Sequence, residues 1–278
     1  HRVVVHLVHA VARNLPFVDR LESYSRLGEV LTGSEEERLL NLADKLQSPD
    51  QPLECHLKFT RPSVAILEVA TQVDAGLVVL GTRGQGGFRH LRIGSTAERV
   101  TQRAKCPVLA VDSEAEGGEQ RPGRVLVATD FSPEADSALF EAEKIFQLER
   151  RSAEVLLLTV LHTPDGLEKN AEVNSMWRSY VAECRMLLGE RLESLKASID
   201  LAGLRAQALL REGIPAEEIV RVAEQEEVDL IAMGSRGAFA ASRALLGSVS
   251  KRVMQTAPCP ILTVPSLWTK RIERKPRS

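Results

Sequence analysis

A strand–turn–helix unit that occurs twice constrains this chain more than any other feature. Gly234 to Val249 reads GSRGAFAASRALLGSV: two glycines three apart, then nine residues, then a Gly-Ser pair. The same spacing recurs at Gly81-Thr82-Arg83-Gly84 and Gly94-Ser95, with each later glycine 153 residues after its partner. Apolar runs, Leu77 to Leu80 and Leu230 to Met233, lead into the two copies, and a helix start follows each Gly-Ser. Two copies of one supersecondary unit at a fixed offset imply two related α/β halves.

The rest of the chain follows the same offset. Val3 to Val8 and Leu156 to Leu161 are short, nearly continuous apolar runs, as expected of parallel strands covered on both faces. Ser34-Glu35-Glu36-Glu37 has the form of a capping box and predicts a helix from there to about Gln47. Its counterpart is a longer amphipathic segment, Ser175 to Ser198. Leu53 to Phe59 and Leu204 to Leu210 alternate apolar and polar residues and predict strands with one wetter face. Pro62 and Pro215 open the next helices, the latter with Glu217 and Glu218 in its first turn. Each half closes on a strand after Cys-Pro, Cys106 to Val111 and Cys259 to Val264.

Between the halves, the polar stretch around DSEAEGGEQRPGR reads as a linker. Val125 to Asp130 then predicts a strand ending in an acid, followed by Phe131-Ser132-Pro133 and a helix through Leu139, Ala142 and Ile145. The first half has no counterpart of that strand and helix: the chain opens on His1, directly before an apolar strand. The expected organisation is residues 1–113 as a first domain lacking its opening strand and helix, 114–123 as linker, 124–266 as a second domain, and 267–278 as a basic, solvated tail. The fold class is α/β, two tandem open parallel-sheet domains of Rossmann-like type.

Composition narrows the function classes. A net charge of −2 favours neither nucleic acid nor an anionic membrane, and 4% aromatics are too few for a base-stacking platform. No apolar stretch approaches bilayer length, and no leader is visible. The four cysteines form no CxxC, which fits a reducing, cytoplasmic setting. Cys106 and Cys259 read as small buried residues. His6, His9 and His162 have no acid or cysteine at metal-ligand spacing and read as structural, so no metal-binding residue is assigned. No Ser-His couple or pair of acids marks a catalytic residue.

The glycine pattern is neither a Walker loop nor a dinucleotide fingerprint. Its place at the carboxyl end of a strand, its Gly-Ser at a helix start and the acid Asp130 ending another strand point to phosphate held on backbone N–H groups. Arg236 and Arg243 could add charge.

The stretch Ile214 to Val264, above all GIPAEEIVRVAEQEEVDLIAMGSRG and LLGSVS, resembles the universal stress protein family, which uses G-x2-G-x9-G-[ST] for ATP. The resemblance implies a five-stranded parallel sheet in each domain. It also implies an ATP or other adenine-nucleotide site, with Mg²⁺, lined in the second half by Ala128, Thr129, Asp130, Val160 and Met233. Gly234, Arg236 and Gly237 would approach ribose and phosphates, and Gly247, Ser248, Val249 and Ser250 would hold the phosphates. In the first half the matching positions are Leu7, Gly81, Gly84, Gly94, Ser95 and Thr96. That half departs from the pattern by lacking the acid and by carrying Arg92 where the second has Leu245. The implied role is a stress-response sensor or regulator, with slow ATP hydrolysis conceivable; the alternatives are a nucleotide-free scaffold and a small-molecule binder. The closing strands are candidates for edge-to-edge pairing, giving an intramolecular pseudo-dimer and, beyond it, a homodimer of tandem chains.

Overall fold

The computed structural model describes residues 3–12, 25–49, 51–82, 93–111, 123–146, 153–162, 171–201, 203–237, 246–266 and 268, with side chains in the first long helix from residue 33 and in the second from residues 175 to 200. It divides into two compact units, His1–Ala75 and Gly76–Ser278.

The first unit contains β1 (Val5–Ala10), α1 (Ser25–Leu46), β2 (Leu53–Lys58) and α2 (Pro62–Gln72). β1 and β2 form a parallel pair, with Val5 opposite Leu53 and Ala10 opposite Lys58. Leu39 and Ala43 of α1 and Ala65 and Val69 of α2 supply buried apolar contacts. The helix expected to start at Ser34 already begins at Ser25, so the apparent capping box lies in its interior. There Glu35 turns to a tertiary partner and a helix neighbour: its Oε2 lies 2.7 Å from His9 Nε2 on β1, and Arg38 Nη1, one turn on, donates to its Oε1 at 3.2 Å. The opening of α2 is as expected, because Pro62 presets the helical φ where its missing N–H removes no bond.

The second unit runs β3 (Val78–Gly81), α3 (Ser95–Arg103), β4 (Val108–Val111), β5 (Arg124–Ala128), α4 (Pro133–Phe146), β6 (Glu154–His162), α5 (Ala171–Leu201), β7 (Arg205–Gly213), α6 (Pro215–Gln225), β8 (Leu230–Gly234), α7 (Ser248–Thr256) and β9 (Ile261–Val264). Its seven strands lie in the order β3-β4-β9-β8-β5-β6-β7. All neighbours are parallel except β4 and β9, which pair antiparallel, Val108 opposite Thr263 and Ala110 opposite Ile261. The two closing strands therefore meet edge to edge within one chain.

This pairing explains where the units divide. In the second half β5 lies between β6 and β8; the first half has no counterpart of β5 among the described residues, so the pairs β1–β2 and β3–β4 belong to separate sheets. β3 and β4 are instead hydrogen-bonded into the sheet of the second half. The core is made of strand residues buried on both faces, including Leu126, Leu156, Leu158 and Ile231, against Ile219 and Val222 of α6 and Val253 of α7. Such continuous apolar strands are what a parallel sheet covered by helices requires.

The C-terminal segment and the two Cys-Pro cysteines show how burial is distributed at the margins of this core. Trp268, in the segment expected to be a solvated tail, is buried, and its indole N–H donates to Glu141 Oε1 at 2.8 Å; Lys270 to Lys275 lie outside the described residues. Cys106 is buried, and burial pushes the Cys259 thiol up to about 12, aided by the charge of Asp229. Both thiols serve packing. Among the described residues no helix is long and apolar enough to cross a membrane.

Candidate functional site

The chain runs from β5 to β6 and β7 on one side, then crosses to β8 and β9 on the other. The gap between the carboxyl ends of β5 and β8 is therefore the topological switch point, where open parallel sheets hold ligands. Ala128, the last residue of β5, stands opposite Met233 near the end of β8, while β6 runs on past its partner Leu158 to His162.

Past β5 the backbone makes a tight turn, with Phe131 at φ 60°. Side chains hold it: the Thr129 hydroxyl accepts the Phe131 N–H at 2.9 Å, and Asp130 Oδ1 accepts the Ser132 N–H at 3.1 Å. The buried Thr159 hydroxyl on β6 donates to the Thr129 carbonyl at 2.9 Å. The Asp130 carboxylate is thereby fixed beyond the end of the sheet.

Past β8 the glycine loop is stitched to the start of α7. The Gly247 N–H donates to the Ser235 carbonyl at 2.9 Å, and the Ser250 hydroxyl donates to the Gly234 carbonyl at 2.9 Å. The first bond has its repeat-mate in the first half, where the Gly94 N–H donates to the Thr82 carbonyl at 2.6 Å. Two of the glycines are demanded by close approach. A Cβ at Gly234 would lie 2.8 Å from the Arg236 carbonyl oxygen and 2.9 Å from Glu134 Cβ, and one at Gly237 would lie 2.7 Å from Asp130 Oδ2. The acid and the glycine loop thus face each other at contact distance.

α7 begins at Ser248 with Gly247 as its N-cap and no side-chain cap, so its first-turn N–H groups have no partner within the helix. They and the helix dipole favour an anion there. A cavity of about 650 Å³ opens onto this helix end. All twelve second-half positions singled out in the sequence line it: Ala128, Thr129 and Asp130 from β5 and its turn; Val160 from β6; Met233, Gly234, Arg236 and Gly237 from β8 and its loop; Gly247, Ser248, Val249 and Ser250 from α7. Arg243 lies outside the described residues.

The first-half positions are distributed otherwise. Leu7 belongs to β1 in the first unit; Gly81 ends β3, and Gly94, Ser95 and Thr96 open α3, in the second. Gly84 and Arg92 lie outside the described residues.

Sequence reasoning missed another part of the cavity wall. Trp177 and Tyr180 of α5, with ring centroids 5.4 Å apart, line it, as do His162, Leu158, Leu161 and Ile219. A signal was available: two rings three residues apart share one helix face, in a chain with only two Trp and two Tyr. A second, smaller hollow of about 500 Å³ lies beside the turn, lined by Phe131, Asp136 and Arg191 among others. The Arg191 guanidinium sits 4.3 Å from the Phe131 ring centroid. Of the histidines read as structural in the sequence, His6 finds partners on the neighbouring strand: its Nδ1 lies 3.0 Å from His56 Nε2 and 3.4 Å from Glu54 Oε2.

A profile of the universal stress protein family matches residues 1–112 and 122–265. Universal stress protein MJ0577 of Methanocaldococcus jannaschii is 31% identical over 153 residues, covering 51% of this chain and 93% of its own length. Universal stress protein Rv2005c of Mycobacterium tuberculosis is 26% identical over 263 residues, covering 93% of this chain and 85% of its own. In fold, the chain is similar to a universal stress protein of Archaeoglobus fulgidus, with a TM-score of 0.66 at 23% identity, covering 94% of this chain and 87% of that one. With both halves matched by one profile and the seven-stranded sheet joining the ends of each, the chain belongs to the universal stress protein family.

Proposed function

We propose that the second half binds an adenine nucleotide, ATP first among them, and works as a sensor or regulatory element of a stress response rather than as a dedicated catalyst. One observation carries this reading: a single cavity contains an acid at one strand end, bare glycine backbone at the next, and the N-terminus of α7. The residues fit the group. Asp130 and Val160 would take the nucleoside, while Gly247, Ser248 and the N–H groups of Val249 and Ser250 would take the phosphates. Arg236 adds positive charge at the rim, and a bound Mg²⁺ would offset phosphate charge. The functional division is that of the repeat: 1–113 and 124–266 as domains, 114–123 between them, 267–278 as tail. The first-half set, Leu7, Gly81, Gly84, Gly94, Ser95 and Thr96, keeps the glycine pattern and ranks second to that of the second half as a nucleotide site.

Calorimetry with ATP and MgCl₂ tests the proposal. The protein should bind roughly at micromolar concentration. Gly247→Val, whose added carbons would press on Arg236 Cα and the Ser235 carbonyl, and Asp130→Ala should each remove the binding. Equal binding in both variants would sink the assignment.

The apolar part of the wall, Leu158, Leu161, Ile219 and Met233, favours a second reading, a binder of small apolar molecules. Native mass spectrometry separates the two: a retained apolar ligand that ATP does not displace supports the second and overturns the first.

A further inference from the structure

We propose that the first unit carries a site for one divalent transition-metal ion of the zinc type, held by the imidazoles of His6 and His56 and the carboxylate of Glu54. The strand register creates it. His6 on β1 stands opposite Glu54 on β2, and Val8 stands opposite His56. Residues two apart on a strand share a face, so His6, Glu54 and His56 leave the sheet on the same side.

The distances fit an ion. One ligand atom from each residue lies within 4.8 Å of the other two, and His6 Nδ1 is 3.0 Å from His56 Nε2 and 3.4 Å from Glu54 Oε2. A tetrahedral zinc ion with bonds of about 2.0–2.2 Å needs its ligand atoms about 3.3 Å apart. Small rotations of the side chains would then enclose the ion without moving either strand.

The donor set selects the metal. Two imidazole nitrogens and one carboxylate oxygen suit Zn²⁺, Ni²⁺ and Cu²⁺, whereas Mg²⁺ and Ca²⁺ take all-oxygen sets. Three protein ligands leave a fourth position for water. Glu54 is largely exposed and His6 mostly covered, which gives the ion an entrance and a dry floor. Lys58, two residues beyond His56, is the cation on the same face of β2, and its long stem can carry the ammonium out to solvent. His9 and Glu35 pair on the opposite face and take no part.

The consequence is mechanical. A two-stranded sheet is a marginal element, and an ion ligated from both strands would tie β1 to β2. Because the bound ion favours only the folded state, the first unit would gain stability that rises with the logarithm of free metal above the dissociation constant.

The test uses the full, tag-free chain and ZnCl₂ in competition with a chromophoric chelator. The wild type should retain one Zn²⁺ in the presence of excess Mg²⁺. The double variant His6→Gln, His56→Gln should lose that ion, and Glu54→Gln should hold it more weakly. No uptake by the wild type, or equal uptake by the double variant, overturns the proposal and leaves His6 and His56 as a plain hydrogen-bonded pair. A second measurement on the wild type removes any dependence on the folding of variants. Titration with diamagnetic Zn²⁺ should shift the imidazole ¹⁵N signals of His6 and His56 while leaving those of His9 and His162 in place; shifts at the latter pair instead would equally overturn it.

Discussion

At Asp136 the folded protein carries a cost that the unfolded chain does not. The residue sits in the first turn of α4 beside the Phe131 turn, and burial raises its carboxyl above the usual aspartate value. Arg191 pulls it back down and the nearby charge of Asp130 pushes it further up. The sign of the effect follows from linkage. A carboxyl whose folded-state value is raised is ionised at neutral pH at the expense of folding. That expense shrinks as pH falls through the folded-state value and is gone once both states are protonated. Asp136→Asn should therefore raise the urea midpoint at pH 7, and the gap between variant and wild type should close toward pH 3. A gap independent of pH would show that packing or the helix dipole, not the buried charge, sets the difference. The site residue Asp130 differs in role: its side chain caps its own turn through Ser132 and meets Gly237 across the cavity, so it shapes the pocket as well as charging it.

Among the elements, those nearest the repeated motif were the most legible. α2 and α6 span the same positions at the 153-residue offset, as do α3 and α7, and β4 and β9. Each pair is fixed by local chemistry: a proline at a helix start, a Gly-Ser at a helix start, a Cys-Pro before a strand. What the sequence hid was tertiary. Ser34 to Glu37 satisfies the capping pattern, but α1 is held past it because Glu35 bonds His9 on β1. The acid, glycines and helix start of the candidate site were visible because each sits at a strand end. Trp177 and Tyr180 were not, because only the packing of α5 brings them to the cavity. The His6–Glu54–His56 group depends on strand register, which neither strand specifies alone. The segment after β9 gives a test at this scale. Composition makes it a tail, yet Trp268 docks on α4 through the buried Glu141, whose other carboxylate oxygen lies 3.5 Å from Lys144 Nζ. Trp268→Phe keeps most of the apolar contact and removes the N–H from a buried carboxylate. It should cost about 2 kcal/mol in urea unfolding, as hydrogen bonds to charged groups do. A change within a few tenths would mean that water replaces the indole and that the segment is held only by its apolar contact.

For the sheet of the second unit as a whole, the decisive feature is that β9 has no free edge. A five-stranded universal stress domain taken alone would end at β9, but here β8 pairs with it on one side and β4 on the other. The seam is reinforced by the buried Thr263 hydroxyl, which donates to the Val108 carbonyl at 3.3 Å, and by Lys251 of α7, 2.6 Å from Glu98 of α3. The ion pair is exposed enough to add little; the strand ladder and the burial of Leu262 and Ile261 carry the seam. Its two sides are unequally covered. Val79 on β3 is 60% exposed, whereas its repeat-mate Ala232 on β8 is fully buried. α4 packs on β8 and β9, and β3 has no counterpart of that helix among the described residues. Amide hydrogen exchange should record this arrangement. Backbone N–H groups of Leu262 and Thr263 should exchange in the slowest class, with those of Ile231 and Ala232, because opening either strand requires breaking the sheet on both sides. The β7 strand, at the far edge, should exchange faster at amides facing away from β6, since nothing in the sheet covers them. The strands β3 and β4 should open together, as the end of the ladder most weakly covered by helices. If instead the β9 amides exchanged as fast as those of β7, β4 would be leaving β9 readily, and the two closing strands would be available to pair with a second copy of the chain.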